Sequence, residues 1–295
     1  MSCMKGRPRL AKACDHLCET FVVSINPSGM RWKPGSSVAA RIAAADGELA
    51  GVLEEGAVAA LLAFDSATDH LRALGQLLNT EVVAPLATVT RGTVEAAAAS
   101  AYLLDSDASP NEQARRFLNQ MFAALTDLKL APDEVADREG LERTIEEGIG
   151  IGMRLGLAVT RPRRNWEPPF LGDRPEHIAA RVDRVMLRDD LGKVVYRMLS
   201  ATAHATPQGL MHYRREVPGG AEGYFASEAK LDDVSIALRH AAAPISVVRA
   251  GLSLMRAYGL DTTSVTISAK MALAAWAETA GLEHDAFARV AESHM

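Results

Sequence analysis

Residues 52–77 read VLEEGAVAALLAFDSATDHLRALGQL. Val52, Ala57, Ala60, Leu61, Phe64, Leu71, Leu74 and Leu77 recur mostly at steps of three and four, the repeat that lines up one face of an α-helix. The period continues downstream. Residues 86–104 form a second, alanine-rich helical stretch suited to close packing. Ser109-Pro110-Asn111-Glu112 then marks a helix start: the serine can cap, the proline suits the first turn, and the glutamate sits three residues after the cap. That third helix runs through Phe117, Met121, Leu125 and Leu128, and a fourth is expected over 133–157. Strand-like pieces such as Val82–Val83 and Val265–Ile267 are too short to found a sheet. The pattern therefore predicts an all-α protein, either a multi-helix bundle or a two-bundle array.

The rest of the chain is read around this body. Residues 1–40 carry prolines, glycines and serines without sustained periodicity and are expected to form an irregular leader. Residues 41–215 make the helical bundle, with shorter helices over 175–187 and 192–205. Residues 216–295 supply C-terminal helices packed on the same body: 230–258 with a bend at Pro244, 261–280 capped by Asp261 or Thr262, and 283–292. Gly219, Gly220 and Gly223 mark a flexible connection before them.

Composition excludes several classes. A net charge of −5 over 295 residues disfavours broad coating of nucleic acid, though not a local basic cleft. Cys3, Cys14 and Cys18 are an odd, clustered set, a poor disulfide framework and one pair short of a structural zinc site. No secretory signal and no apolar run long enough to span a bilayer occur, so a cytoplasmic protein without membrane contact is expected. Gly148-Ile149-Gly150-Ile151-Gly152 suggests a phosphate loop, but the spacing fits neither nucleotide motif. Gly148, Gly152 and Gly156 instead repeat every four residues, as a groove for a neighbouring helix would.

The segment richest in chemistry is Tyr196-Arg197-Met198-Leu199-Ser200-Ala201-Thr202-Ala203-His204. Seven residues advance a helix by about 700°, roughly 20° short of two turns, so Arg197 and His204 share a face. Ser200 lies between them and Tyr196 at the edge. A guanidinium grips phosphate oxygens, and an imidazole exchanges a proton near neutral pH. Together they could deprotonate a ribose 2′-hydroxyl and stabilise charge building on phosphorus, with no metal or cofactor.

This segment resembles the HEPN superfamily, whose hallmark is an arginine followed after four to six residues by a histidine. Arg91-Gly92-Thr93-Val94-Glu95, followed by Ala101-Tyr102-Leu103-Leu104, is similar to the Arg-x3-Glu helix of bacterial relatives. The resemblance implies a helical, often dimeric domain whose active members cut RNA without metal. Met198 departs from the polar residue usual after the arginine, so that role falls to Ser200. It implies His204 as base and Arg197 as phosphate clamp, with Ser200 and Tyr196 orienting water, substrate or His204. Glu95 and His70 are supporting candidates. Arg161, Arg163 and Arg164, the densest basic cluster in the body of the chain, could face phosphate.

Two other readings stay open. The strip could supply the polar contacts of an apolar small-molecule pocket, in a ligand binder or an enzyme. The chain could instead be an interaction protein, its alanine-rich helices and glycine groove serving self-association. A nuclease requires a basic cleft around Arg197. A pocket protein requires a cavity reaching His204. An interaction protein requires both side chains tied up in internal bonds.

Overall fold

The computed structural model describes residues 6–25, 31–132, 134, 136–164, 166–186, 191–211, 214–216, 227–229 and 231–287. In chain order its elements are α1 (Gly6–Ile25), α2 (Ser37–Ala43), α3 (Gly47–Leu78), α4 (Ala84–Leu103), α5 (Pro110–Leu128) and α6 (Arg138–Arg154). The chain continues with β1 (Val159–Thr160), β2 (Phe170–Leu171), α7 (Ile178–Asp183), α8 (Leu191–Ala203), α9 (Pro207–Met211), β3 (Arg214–Glu216) and β4 (Ser227–Ala229). It ends with α10 (Asp233–His240), α11 (Ala242–Ala257) and α12 (Thr263–Thr279). The protein is an all-α multi-helix bundle decorated with two small antiparallel pairs, β1–β2 and β3–β4.

The 52–77 stretch lies wholly inside α3, and its apolar face is the floor of the main core. Helix α4 lies along α3; α1 packs between α3 and α12, and α11 closes over α3 and α4. A smaller core forms where α5, α6 and the β1–β2 pair meet the start of α3 around Val52. Buried Arg116 joins the two. It donates to the Tyr102 carbonyl at 2.9 Å, to Asp105 at 3.0 Å and to Glu112 at 2.8 Å, tying the end of α4 to α5.

The expected leader is corrected. Residues 6–25 form α1, and Leu10, Cys14, Leu17 and Phe21 are fully buried in the main core. Those four follow the helical period, but one of them is a cysteine, as is their buried neighbour Cys18, and the rest of the helix carries Asp15, His16 and Glu19. A reduced cysteine packs as a small apolar residue, and with Cys14 and Cys18 counted that way the stripe is continuous. Arg7 fastens the start of α1 by donating to the carbonyls of Thr80 at 3.1 Å and Leu231 at 2.7 Å.

Other boundaries shift for local reasons. Ser109 caps α5 as read, accepting from Glu112 N, but the Glu112 carboxylate turns to Arg115 and Arg116 instead of reaching back to the cap. Helix α6 begins at Arg138, not near 133, because Asp137 caps it through Gly140 N. The 230–258 helix is two helices, broken at Ala241. Pro244, lacking an N–H, sits in the first turn of α11, where none is needed. The β1–β2 pair, which flanks the basic cluster, is pinned by Asn119: its Oδ1 accepts from Leu171 N at 2.8 Å and its Nδ2 donates to Leu171 O at 3.1 Å. Of the glycine run, Gly148 meets Phe122 and Met121 of α5, and Gly152 meets Leu171. Gly156 has φ +76° and ends α6 instead of extending a groove. Of the expected last helix, residues 283–287 form a turn closed by Ala286 N donating to Glu283 O at 2.9 Å, and residues 288–292, like the 219–223 glycines, lie outside the described residues.

Candidate functional site

Helix α8 packs against α4, α7 and α9, and the chemistry collects where α4 and α8 face each other. Tyr196 and Ser200 are half-buried on α8, Arg197 is exposed, and His204 is exposed just past the helix end. The α8 terminus is built tightly. His204 N donates to Ser200 O at 3.0 Å, and Thr206 N returns to Ala201 O at 3.0 Å. That reversal puts Ala205 at φ +52°, the one non-glycine residue with positive φ among those described. Gly209 of α9 fits flush against the Ala201 backbone, leaving no room for a side chain.

Arg91 of α4 organises the site. Its Nε donates to Glu95 Oε1 at 2.8 Å, one guanidinium nitrogen lies 3.0 Å from His204 Nε2, and the other donates to the Tyr196 hydroxyl at 3.3 Å. The guanidinium carbon also lies 5.4 Å from the centre of the Tyr196 ring. Partial burial works against the charge on Arg91, but Glu95 and Tyr196 outweigh it and the net shift is upward. An arginine has donors only, so His204 Nε2 must accept, which assigns His204 a neutral ring with its proton on Nδ1.

Other members sit around this hub. His177 packs edge-on against Tyr196, with ring centres 6.4 Å apart, while its Nδ1 accepts from Ala179 N at the start of α7. His70 of α3 lies over Gly92, where a methyl carbon would come within 2.7 Å of its ring, and its Nδ1 donates to Ser66 O at 2.7 Å. Gly92 thus lets His70 border the site without bonding to Arg91 or His204.

The predicted residues therefore divide. Tyr196, His204 and Glu95 come together through Arg91. Arg197 is not paired with Glu95, and among the described residues its side chain makes no hydrogen bond or ion pair. Arg161, Arg163 and Arg164 stand apart, next to the β1–β2 pair, which is carried by α5 and α6. Arg161 is spent on Glu146 at 2.6 and 2.7 Å, and Arg164 stacks over Trp166. Sequence reasoning missed His177 and undervalued Arg91. The signal for Arg91 was its four-residue spacing to Glu95 directly before a glycine.

Among the described residues no group of three or more His, Cys, Asp and Glu side chains could hold a metal ion, and no helix is long and apolar enough to cross a membrane. A cavity of about 690 Å³ lies elsewhere, and Tyr196, Arg197, Ser200 and His204 do not line it. Compared with known proteins, the chain matches no family profile, no curated protein and no solved structure.

Proposed function

We propose that the α4–α8 surface binds an RNA phosphodiester and that the chain is a HEPN-like, metal-independent endoribonuclease. The observation that carries this reading is the triple engagement of Arg91 with Glu95, Tyr196 and His204, with the unengaged Arg197 on the same helix as Tyr196. Two guanidiniums to hold a phosphate and an imidazole with an accepting nitrogen to take a proton suit in-line attack by a 2′-hydroxyl. An incoming phosphate would compete with His204 for the Arg91 donors and draw that guanidinium onto its oxygens, beside Arg197. His204 Nε2, relieved of Arg91, would take the 2′-hydroxyl proton as O2′ attacks phosphorus. The P–O5′ bond would break, and the 5′-oxygen would take up a proton from solvent, leaving 2′,3′-cyclic phosphate and 5′-hydroxyl ends. Glu95 would hold Arg91 in place, and Tyr196 would orient it. Ser200, between Arg197 and His204 on the same strip, would position the attacking group.

A homodimer in the cytoplasm belongs to this reading. Leu191 and Val194 lie exposed about two turns and one turn before Arg197 on α8, apolar side chains that a second copy would cover beside the site. The test is cleavage of a mixed RNA pool without divalent metal. Wild type is expected to leave cyclic phosphate ends. Arg91→Ala, Arg197→Ala and His204→Ala, each with unchanged helical circular dichroism, should lose at least about a hundredfold in rate. Absence of cleavage by wild type at high protein concentration would overturn the proposal.

A further inference from the structure

The 690 Å³ cavity is bounded by α2, the first half of α3, the end of α4 and the end of α11. Its volume falls in the range of small-molecule sites, about 300–1,000 Å³. Its lining includes the apolar Val38, Ile42, Val52, Leu53, Ala57 and Leu103. It also includes three guanidiniums, Arg41, Arg184 and Arg256, against two carboxylates, Asp105 and Asp107.

The pairing within that set leaves positive charge over. Arg184 meets Asp105 at 2.6 Å, and both belong to a wider ion-pair network, since Asp105 also takes Arg116 at 3.0 Å and Arg184 also takes Glu176 at 3.0 Å. Arg41 gives its donors to the backbone carbonyls of Asp105 and Ser106, at 3.4 and 2.6 Å, and is in no ion pair among the described residues; the exposed Asp107 is likewise in none, so Arg41 and Arg256 against Asp107 leave one positive charge over. Arg256 is half-buried on α11 and has no hydrogen bond or ion pair among the described residues. A guanidinium without a protein acceptor has its donor fork available to grip an anion arriving in the cavity. Apolar side chains facing a surplus cation call for a ligand with the same two halves.

We infer that this cavity binds a small amphipathic anion, a hydrocarbon body with a single carboxylate, with Arg256 gripping the carboxylate and the Leu53–Val52 side holding the hydrocarbon. The site is separate from the α4–α8 surface and independent of the ribonuclease reading.

Calorimetric titration of the full chain with decanoate, decanol and butyrate tests it. Decanoate should saturate one site. Decanol, lacking the charge, and butyrate, lacking the chain, should each bind at least about tenfold more weakly. Arg256→Gln should weaken decanoate by about ten- to a hundredfold. Ser253→Leu, which narrows the cavity from its wall, should weaken it as well, with circular dichroism of both variants unchanged. Decanol binding as tightly as decanoate, an Arg256→Gln protein that binds decanoate like wild type, or no saturation by decanoate at millimolar concentration would each overturn the inference.

Discussion

Ala205 holds the position after His204 in a left-handed conformation that costs an L-residue about 1–2 kcal/mol. Its side chain is exposed, so no packing offsets the strain. Ala205→Gly should remove the strain, less the larger chain entropy of glycine, and raise unfolding stability by about 0.5–1 kcal/mol in denaturant titration. A loss of stability would mean that the methyl group makes contacts outweighing the strain. At this scale the sequence was partly legible. Helical spacing alone put Tyr196, Arg197, Ser200 and His204 on one strip, because those residues share an element. The Arg91–His204 and Arg91–Tyr196 bonds join residues more than a hundred positions apart and depend on which face of α4 meets α8. No local pattern encodes that choice. His177 was invisible for the same reason.

At the scale of elements, the glycines of α6 show how one motif serves different ends. A methyl carbon on Gly152 would lie 2.5 Å from Leu171 Cδ1, and Leu171 is fully buried with both backbone polar groups held by Asn119. Alanine there gains up to about 1 kcal/mol of helix propensity, but overpacking against a pinned neighbour costs about 1–3 kcal/mol. Gly152→Ala is expected to destabilise by about 1–2 kcal/mol. Gly150 meets only the far end of the exposed Arg154 side chain, at 3.3 Å, so Gly150→Ala should instead stabilise by about 0.5–1 kcal/mol. Thermal and urea unfolding of the two variants checks the opposite signs. Equal effects would show that the Leu171 contact does not decide the outcome. The four-residue spacing of Gly148, Gly152 and Gly156 predicts a groove for a helix. Gly148 does admit α5, Gly152 admits a strand, and Gly156 stops the helix, distinctions that depend on the partner and not on the spacing. The long helices α3, α4 and α5 were legible because each carries its apolar stripe and, in α5, its cap. The break between α10 and α11 was not, since Pro244 is equally consistent with a bend or a restart.

At the scale of the molecule, the main core draws on both ends of the chain: α1 lies against α12, and α10 and α11 complete the cover over α4. This long-range closure is why residues 6–25, weak as an isolated pattern, are ordered. His240, at the end of α10, is fully buried in that closure, with its Nδ1 2.9 Å from Thr90 Oγ1 of α4. Burial, helped by the nearby Arg239 charge, pulls its pKa down to about 3. The folded protein therefore keeps the ring neutral, whereas the unfolded chain protonates it below about pH 6.5. Between those limits the unfolded state binds more protons, so stability is complete above about pH 6.5 and declines as pH falls toward the folded value. For one such group the loss from pH 7.5 to pH 5.5 comes to about 1.4 kcal/mol. Urea unfolding at the two pH values measures it. His240→Leu should lower stability at both, because Thr90 loses its partner, yet reduce the difference between them by about that amount. A variant that keeps the full wild-type difference would assign the acid sensitivity to groups other than the buried imidazole joining α4 to α10.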